Sequence, residues 1–172
     1  MRSRALAAVV LIAAVAVAFA LLTGGGGHSP ARAHSSTYSA PDHSFSVSYP
    51  AGWKAAPVGT NGGVIERTDH RGVVLVREHA AVRGKLSKVL KDLPAQLAKR
   101  FPDFRPVGAS VARLSTGPAV VYTFVRTKAR KVQTIVVAPT AQRSYTLEVV
   151  APSSAHDAAR EAGQIVRSLK AR

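Results

Sequence analysis

Hydrophobic and polar positions change their spacing several times along the chain, and each spacing predicts an element. Ala5–Leu22 is an unbroken run of eighteen apolar residues. As a helix it would span about 27 Å, against a bilayer core of about 30 Å. In "HSFSVSYPAGW", Phe45, Val47 and Tyr49 alternate with Ser44, Ser46 and Ser48, the period of a strand with one buried and one wet face. Pro50 has no N–H to donate, so pairing is expected to stop there. Gly52 can turn left-handed, which lets the single tryptophan, Trp53, fold back as a core anchor. "GVIERT" and "VVLVREH" flank Asp69–Gly72, residues suited to a hairpin loop. From Lys85 the period becomes helical: Leu86, Val89, Leu90, Leu93, Leu97 and Phe101 fall within about 120° of arc at roughly 100° per residue. Lys85, Lys88 and Lys91 project from the other side, and Pro94 is expected to kink this helix or begin a second one.

Strand patterns return with "SVARLS", then "AVVYTFV", "VQTIVVA" and "SYTLEVVA", linked by "RTKARK" and "PTAQR". Short turn-rich links of this kind predict an antiparallel meander, with Tyr122, Phe124 and Tyr145 in its core. Ser154 and Asp157 resemble a capping box. Ala155, Ala158, Ala159, Ala162, Ile165, Val166 and Leu169 form one apolar stripe of a closing helix. The order implies an α+β fold, a single antiparallel β-sheet flanked by helices and preceded by one N-terminal hydrophobic helix.

The N-terminal segment bears on location. Arg2 and Arg4 precede the apolar run, and positive charge there holds the N-terminus inside and places the folded part outside the cytoplasm. The run is longer than a typical signal region, which favours an uncleaved single-pass anchor in the cell membrane. Secretion after cleavage near Ala33 is the alternative, since Ala31-Arg32-Ala33 matches a cleavage pattern, eleven residues past Leu22. Gly24–Gly27 open a flexible tether. The expected organisation is a membrane anchor or signal segment over 1–23, a Gly-rich tether over 24–42 and a folded domain over 43–172. With no cysteine, neither a disulfide framework nor a lipid-modified cysteine is available.

"FSVSYPAGW" resembles the F-x-x-x-Y-P-x-G-W opening of the PsbP-like superfamily, which includes photosystem extrinsic proteins, Ran-binding Mog-type proteins and exported bacterial proteins. The central helix, the late meander and the closing helix ending in "VRSLK" are similar too, so the resemblance covers about Ser44 to Lys170. It implies a sheet sandwiched by helices that serves as a binding or assembly module rather than an enzyme. Photosystem and Ran-binding roles are not carried over, because no residue here matches those surfaces. Many bacterial relatives are lipoproteins, whereas this chain would use a membrane helix instead.

Charge narrows the partner. The chain has a formal net charge of +15, and beyond Ala33 it keeps 21 of its 24 basic side chains against all nine acidic ones, a net +12. A small domain this basic is attracted to polyanions, including anionic lipid, acidic envelope polymers and acidic proteins. One candidate group is Arg83, Lys85, Lys88, Lys91, Lys99 and Arg100 around the central helix; the other is Arg126, Lys128, Arg130 and Lys131 at a hairpin tip. Nucleic acid is disfavoured, since a stacking platform wants aromatics among the basic residues and "RTKARK" has none. A solvated, merely solubilising face is the plainer reading of both groups.

Catalytic patterns are sparse. His34, His43, His70, His79 and His156 are scattered, with no H-E-x-x-H pair. Asp42-His43 and Asp69-His70 read as turn polarity. There is no G-x-S-x-G elbow, and Asn61-Gly62-Gly63 lacks the Lys-Ser/Thr of a phosphate loop. No metal or cofactor is expected. The remaining alternatives are an exported hydrolase assembled from scattered His and Asp residues, and a small-ligand carrier using a concave sheet face.

Overall fold

The computed structural model describes residues 35–82 and 85–172. The hydrophobic N-terminal segment, most of the tether stretch and Arg83 lie outside the described residues. Ten strands and two helices follow in the order β1 (Ser35–Ser39), β2 (Phe45–Pro50), β3 (Trp53–Pro57), β4 (Gly62–Arg67), β5 (Val73–Ala80), α1 (Leu86–Arg100), β6 (Phe104–Leu114), β7 (Gly117–Arg126), β8 (Lys131–Pro139), β9 (Arg143–Pro152), α2 (His156–Arg167) and β10 (Lys170–Ala171).

The strands form two antiparallel sheets rather than the single one expected. A seven-stranded sheet has the order β3-β4-β5-β9-β8-β7-β6, and a three-stranded one the order β1-β2-β10. β1 lies inside the stretch expected to be tether and pairs Ser35 with Pro50 through Ser39 with Ser46. Its polar "SSTYS" gives little hydrophobic signal, and pairing with β2 is what makes it a strand.

The P-A-G-W corner is where the chain passes between the sheets. β2 ends at Pro50 in the small sheet and β3 begins at Trp53 in the large one. Gly52 turns at φ +83°, a conformation that costs glycine little. Trp53 is buried, and its indole N–H donates to Glu161 Oε2 of α2 at 2.7 Å. Gly72 leaves room for the ring, since a Cβ there would lie 2.7 Å from Trp53 Cη2.

Each face of the large sheet has its own cover. On one side α2 and the small sheet close a core containing Phe45, Val47, Val74, Val76, Tyr145, Leu147, Ile165 and Leu169. Tyr145 donates its hydroxyl proton to the Ser44 carbonyl at 3.0 Å, tying the two sheets together. On the other side α1 lays Leu86, Val89, Leu90, Leu93 and Leu97 over Val120, Tyr122, Phe124, Ile135 and Val137. Only Leu97 of the helix is fully buried.

The helix termini depart from the sequence expectations. α1 runs unbroken through Pro94, although that residue cannot bond the carbonyl one turn back. It has no side-chain N-cap and no acid in its first turn, so packing rather than propensity holds it. The N-cap of α2 is Ala155, with no side-chain capping bond. Asp157 instead meets Arg67 Nη1 at 2.6 Å.

Candidate functional site

The basic residues are arranged by one aromatic ring and one carboxylate. Phe101 follows the last turn of α1 and stacks on Phe124 of β7, ring centres 5.6 Å apart. The guanidinium of Arg126 lies 4.3 Å from the Phe101 ring centre, and that of Arg100 lies 4.9 Å from it. Cations over an aromatic face are attracted by its quadrupole. The ring therefore joins the C-terminal end of α1 to the end of β7, and the two candidate groups meet there.

Asp103 shapes the adjoining turn. Its side chain is only 4% exposed, accepts from Arg126 Nε, and takes the backbone N–H groups of Lys128 (3.1 Å) and Ala129 (3.4 Å). Burial pushes the carboxyl upward, but these donors and the Arg126 charge outweigh it and hold the group below its ordinary range. Bonding to a fixed acceptor orders Thr127–Arg130 as a firm tip, with Arg130 at φ +53°. Lys128, Arg130 and Lys131 are exposed on or beside it.

Lys85, Lys88 and Lys91 occupy the opposite end of α1, Lys85 being its N-cap. The helical rise puts Lys85 about 22 Å from Arg100. The candidates thus form a corner cluster of Lys99, Arg100, Arg126, Lys128, Arg130 and Lys131, and a separate lysine stripe. Lys88 is already engaged with Asp92 at 2.6 Å, which raises its pKa through that hydrogen bond. Arg126 is engaged with Asp103. Lys85, Lys91, Lys99, Arg100, Lys128, Arg130 and Lys131 have no carboxylate partner among the described residues.

The acids explain why this charge is left over. Asp42, Asp69, Glu78, Asp92, Asp103, Asp157 and Glu161 are in ion pairs, Glu66 lies 2.7 Å from His70 Nδ1, and Glu148 accepts from Gln133 at 3.3 Å. Each carboxylate of the chain is therefore already used within the domain. Sequence alone showed the excess of lysine and arginine, but not the Phe101 stack or the Asp103 bracket. Both depend on residues more than twenty positions apart meeting in space.

The alternative chemistries find little here. His70 Nδ1 lies 2.7 Å from Glu66 Oε1, yet the imidazole is 81% exposed on a hairpin tip. No group of three His, Cys, Asp or Glu residues is placed to hold a metal among the described residues. A cleft of about 650 Å³ opens between the β6–β7 turn, the β8–β9 turn and the C-terminal strand. Ser115, Thr116, Thr140, Ala141, Gln142, Lys170, Ala171 and Arg172 line it, with no histidine or side-chain carboxylate. Tyr122, Phe124 and Tyr145 are buried, so they present no stacking surface.

Comparison with solved structures identifies the architecture. The solution structure of cyanobacterial PsbP (CyanoP) from Synechocystis sp. PCC 6803 is similar over 86% of this chain and 98% of that one, with TM-score 0.61 and 13% identity. LpqN of Mycobacterium tuberculosis, described as involved in cell envelope biogenesis, is similar over 80% of this chain and 84% of that one, with TM-score 0.52 and 18% identity. No family model matches the chain, and no curated protein matches it in sequence. The fold is PsbP-like.

Proposed function

We propose that this chain is a non-catalytic accessory module outside the cytoplasm, tethered to the membrane by its N-terminal segment, which engages an acidic protein or an envelope polyanion through the unpaired basic residues along α1 and on the β7–β8 turn. The observation that carries this reading is the internal use of all nine carboxylates, which leaves seven of the candidate cations unneutralised on one helix and its adjoining turn. Unpaired cations on an ordered turn keep their field and lose little conformational freedom on binding. The description of LpqN as an envelope-biogenesis protein supports an envelope setting. The PsbP-like fold supports a module built for association, while function itself must rest on the surface.

The test uses the full chain in neutral detergent with polyglutamate as the probe, across a salt series. Binding that weakens steeply with salt, and is lost when Lys91, Lys128, Arg130 and Lys131 are reversed to glutamate, supports the reading. Binding unaffected by those reversals would place the contact elsewhere. A hydrolytic role would require activity lost on His70→Ala, and the exposed His70–Glu66 pair gives no reason to expect it.

A further inference from the structure

β6 is the outer strand of the large sheet, hydrogen-bonded on one side only, to β7. Its far edge is bare among the described residues. The only exposed large hydrophobic side chains among them are Val107, at 42%, and Val111, at 54%, and both belong to this strand. Apolar side chains beside unpaired backbone are what an incoming strand needs, and also what proteins ordinarily guard.

The register shows which backbone groups are free. The two-residue turn Ser115–Thr116 makes Leu114 and Gly117 the closing pair of the β6–β7 hairpin. Antiparallel pairs alternate, so Ala112 and Ser110 bond toward β7, while Arg113, Val111 and Ala109 turn their N–H and C=O groups outward. Pro118, opposite Arg113, fits this assignment because a non-bonded position needs no donor. Outside the strand ladders, no backbone bond among the described residues involves Ala109, Val111 or Arg113. Pro106 and the register shift between Pro106 and Gly108 interrupt pairing toward the other end. The free template is therefore Ala109–Arg113.

Charge selects the occupant. Arg105 and Arg113 are exposed on β6, and the strand carries no acid. A second copy placed two-fold about Val111 would oppose Ala109 to Arg113 and bring two strongly basic surfaces together. A guest strand with carboxylates near Arg113 and Arg105 and an apolar residue beside Val111 satisfies both features. The chain has no spare carboxylate of its own to supply.

We propose that the Ala109–Arg113 edge of β6 is a docking strand for an extended acidic segment of a protein partner, added antiparallel to the large sheet. The proposal deepens the basic-module reading by giving a protein partner a binding mode, and the two can fail separately.

The test is backbone amide NMR and hydrogen exchange on the full chain in neutral detergent. The probe is an end-blocked peptide of about eight residues, a typical strand length, repeating valine-threonine-glutamate-threonine, so that a valine beside Val111 puts a glutamate on the same face beside Arg113. Slowed exchange at Ala109, Val111 and Arg113 is expected on adding the peptide. Val111→Pro removes an outward N–H and leaves the β7 ladder intact, so binding should weaken by about tenfold or more with the urea midpoint unchanged. A peptide with lysine in place of glutamate should bind at least about tenfold more weakly. Reversing Lys91, Lys128, Arg130 and Lys131 should abolish polyglutamate binding but leave the protection at Val111. Undiminished binding to Val111→Pro, peptide-induced protection elsewhere than β6, or no protection at millimolar peptide would overturn the proposal. Concentration-dependent protection of these amides without peptide would assign the edge to a second copy and overturn it equally.

Discussion

Trp53 and Gly72 are coupled by space, and the coupling can be measured. Trp53→Phe removes the indole donor to Glu161, a hydrogen bond to a charged acceptor worth about 1.5–3 kcal/mol. It also leaves part of a buried site unfilled, adding about 1 kcal/mol on the scale of core truncations. The single change should therefore cost about 2.5–4 kcal/mol. Gly72→Ala sets a methyl group 2.7 Å from Trp53 Cη2 and 3.2 Å from Ala158 Cβ. Gly72 is not among the positive-φ glycines, so the penalty is overpacking, about 1–3 kcal/mol. Phenylalanine has no atom where Cη2 sits, so the alanine methyl fits better beside it. The double variant should be less destabilised than the sum of the singles by about 1–2 kcal/mol. Urea unfolding followed by far-ultraviolet circular dichroism measures all four proteins, because Trp53→Phe removes the sole indole fluorophore. Strict additivity, or a double variant worse than the sum, would refute this account of how the P-A-G-W corner packs.

Other consequences follow from the same contacts. Asp157 is held below its ordinary value of 3.8, first by its hydrogen bond from Arg67, so its stabilising contribution is complete above that value and lost as pH falls toward the lower folded pKa. Asp157→Asn should flatten the acid limb of a stability–pH curve below about pH 4, and an unchanged limb would contradict the ion pair. Pro94→Ala restores the missing bond inside α1 and should stabilise the domain by about 1–3 kcal/mol in urea unfolding; destabilisation would mean that Pro94 fixes a needed bend. Lys88 is already paired with Asp92, so Lys88→Gln should reduce polyglutamate affinity less than Lys91→Gln does, read from titrations at low salt. Equal losses would show that the pair opens on binding.

The sequence spoke most clearly where neighbours in the chain decide the structure. The alternation of Phe45, Val47 and Tyr49, the Asp69–Gly72 hairpin, the helical spacing from Leu86 to Leu97 and the late meander are local patterns, and the fold contains each of them. The second sheet was hidden because β1 is polar and β10 has two residues, so both become strands only by pairing with β2. The Pro50–Trp53 corner was legible as a stop, but not as a passage between sheets, which depends on partners elsewhere in the chain. β6 begins at Phe104, earlier than "SVARLS" suggested, because Pro106 and the Val107 bulge blur its alternation. At the candidate site, lysine content exposed the charge, whereas the Phe101 stack and the Asp103 bracket required the tertiary structure.

The account rests centrally on the unneutralised charge of α1 and the β7–β8 turn. The most direct measurement is polyglutamate affinity of the full chain in neutral detergent between low salt and a few hundred millimolar, with and without reversal of Lys91, Lys128, Arg130 and Lys131. The account predicts binding at low salt that falls steeply as screening shortens to a few ångströms, and its loss in the reversed protein. No binding at low salt, or equal binding by both proteins, would contradict it.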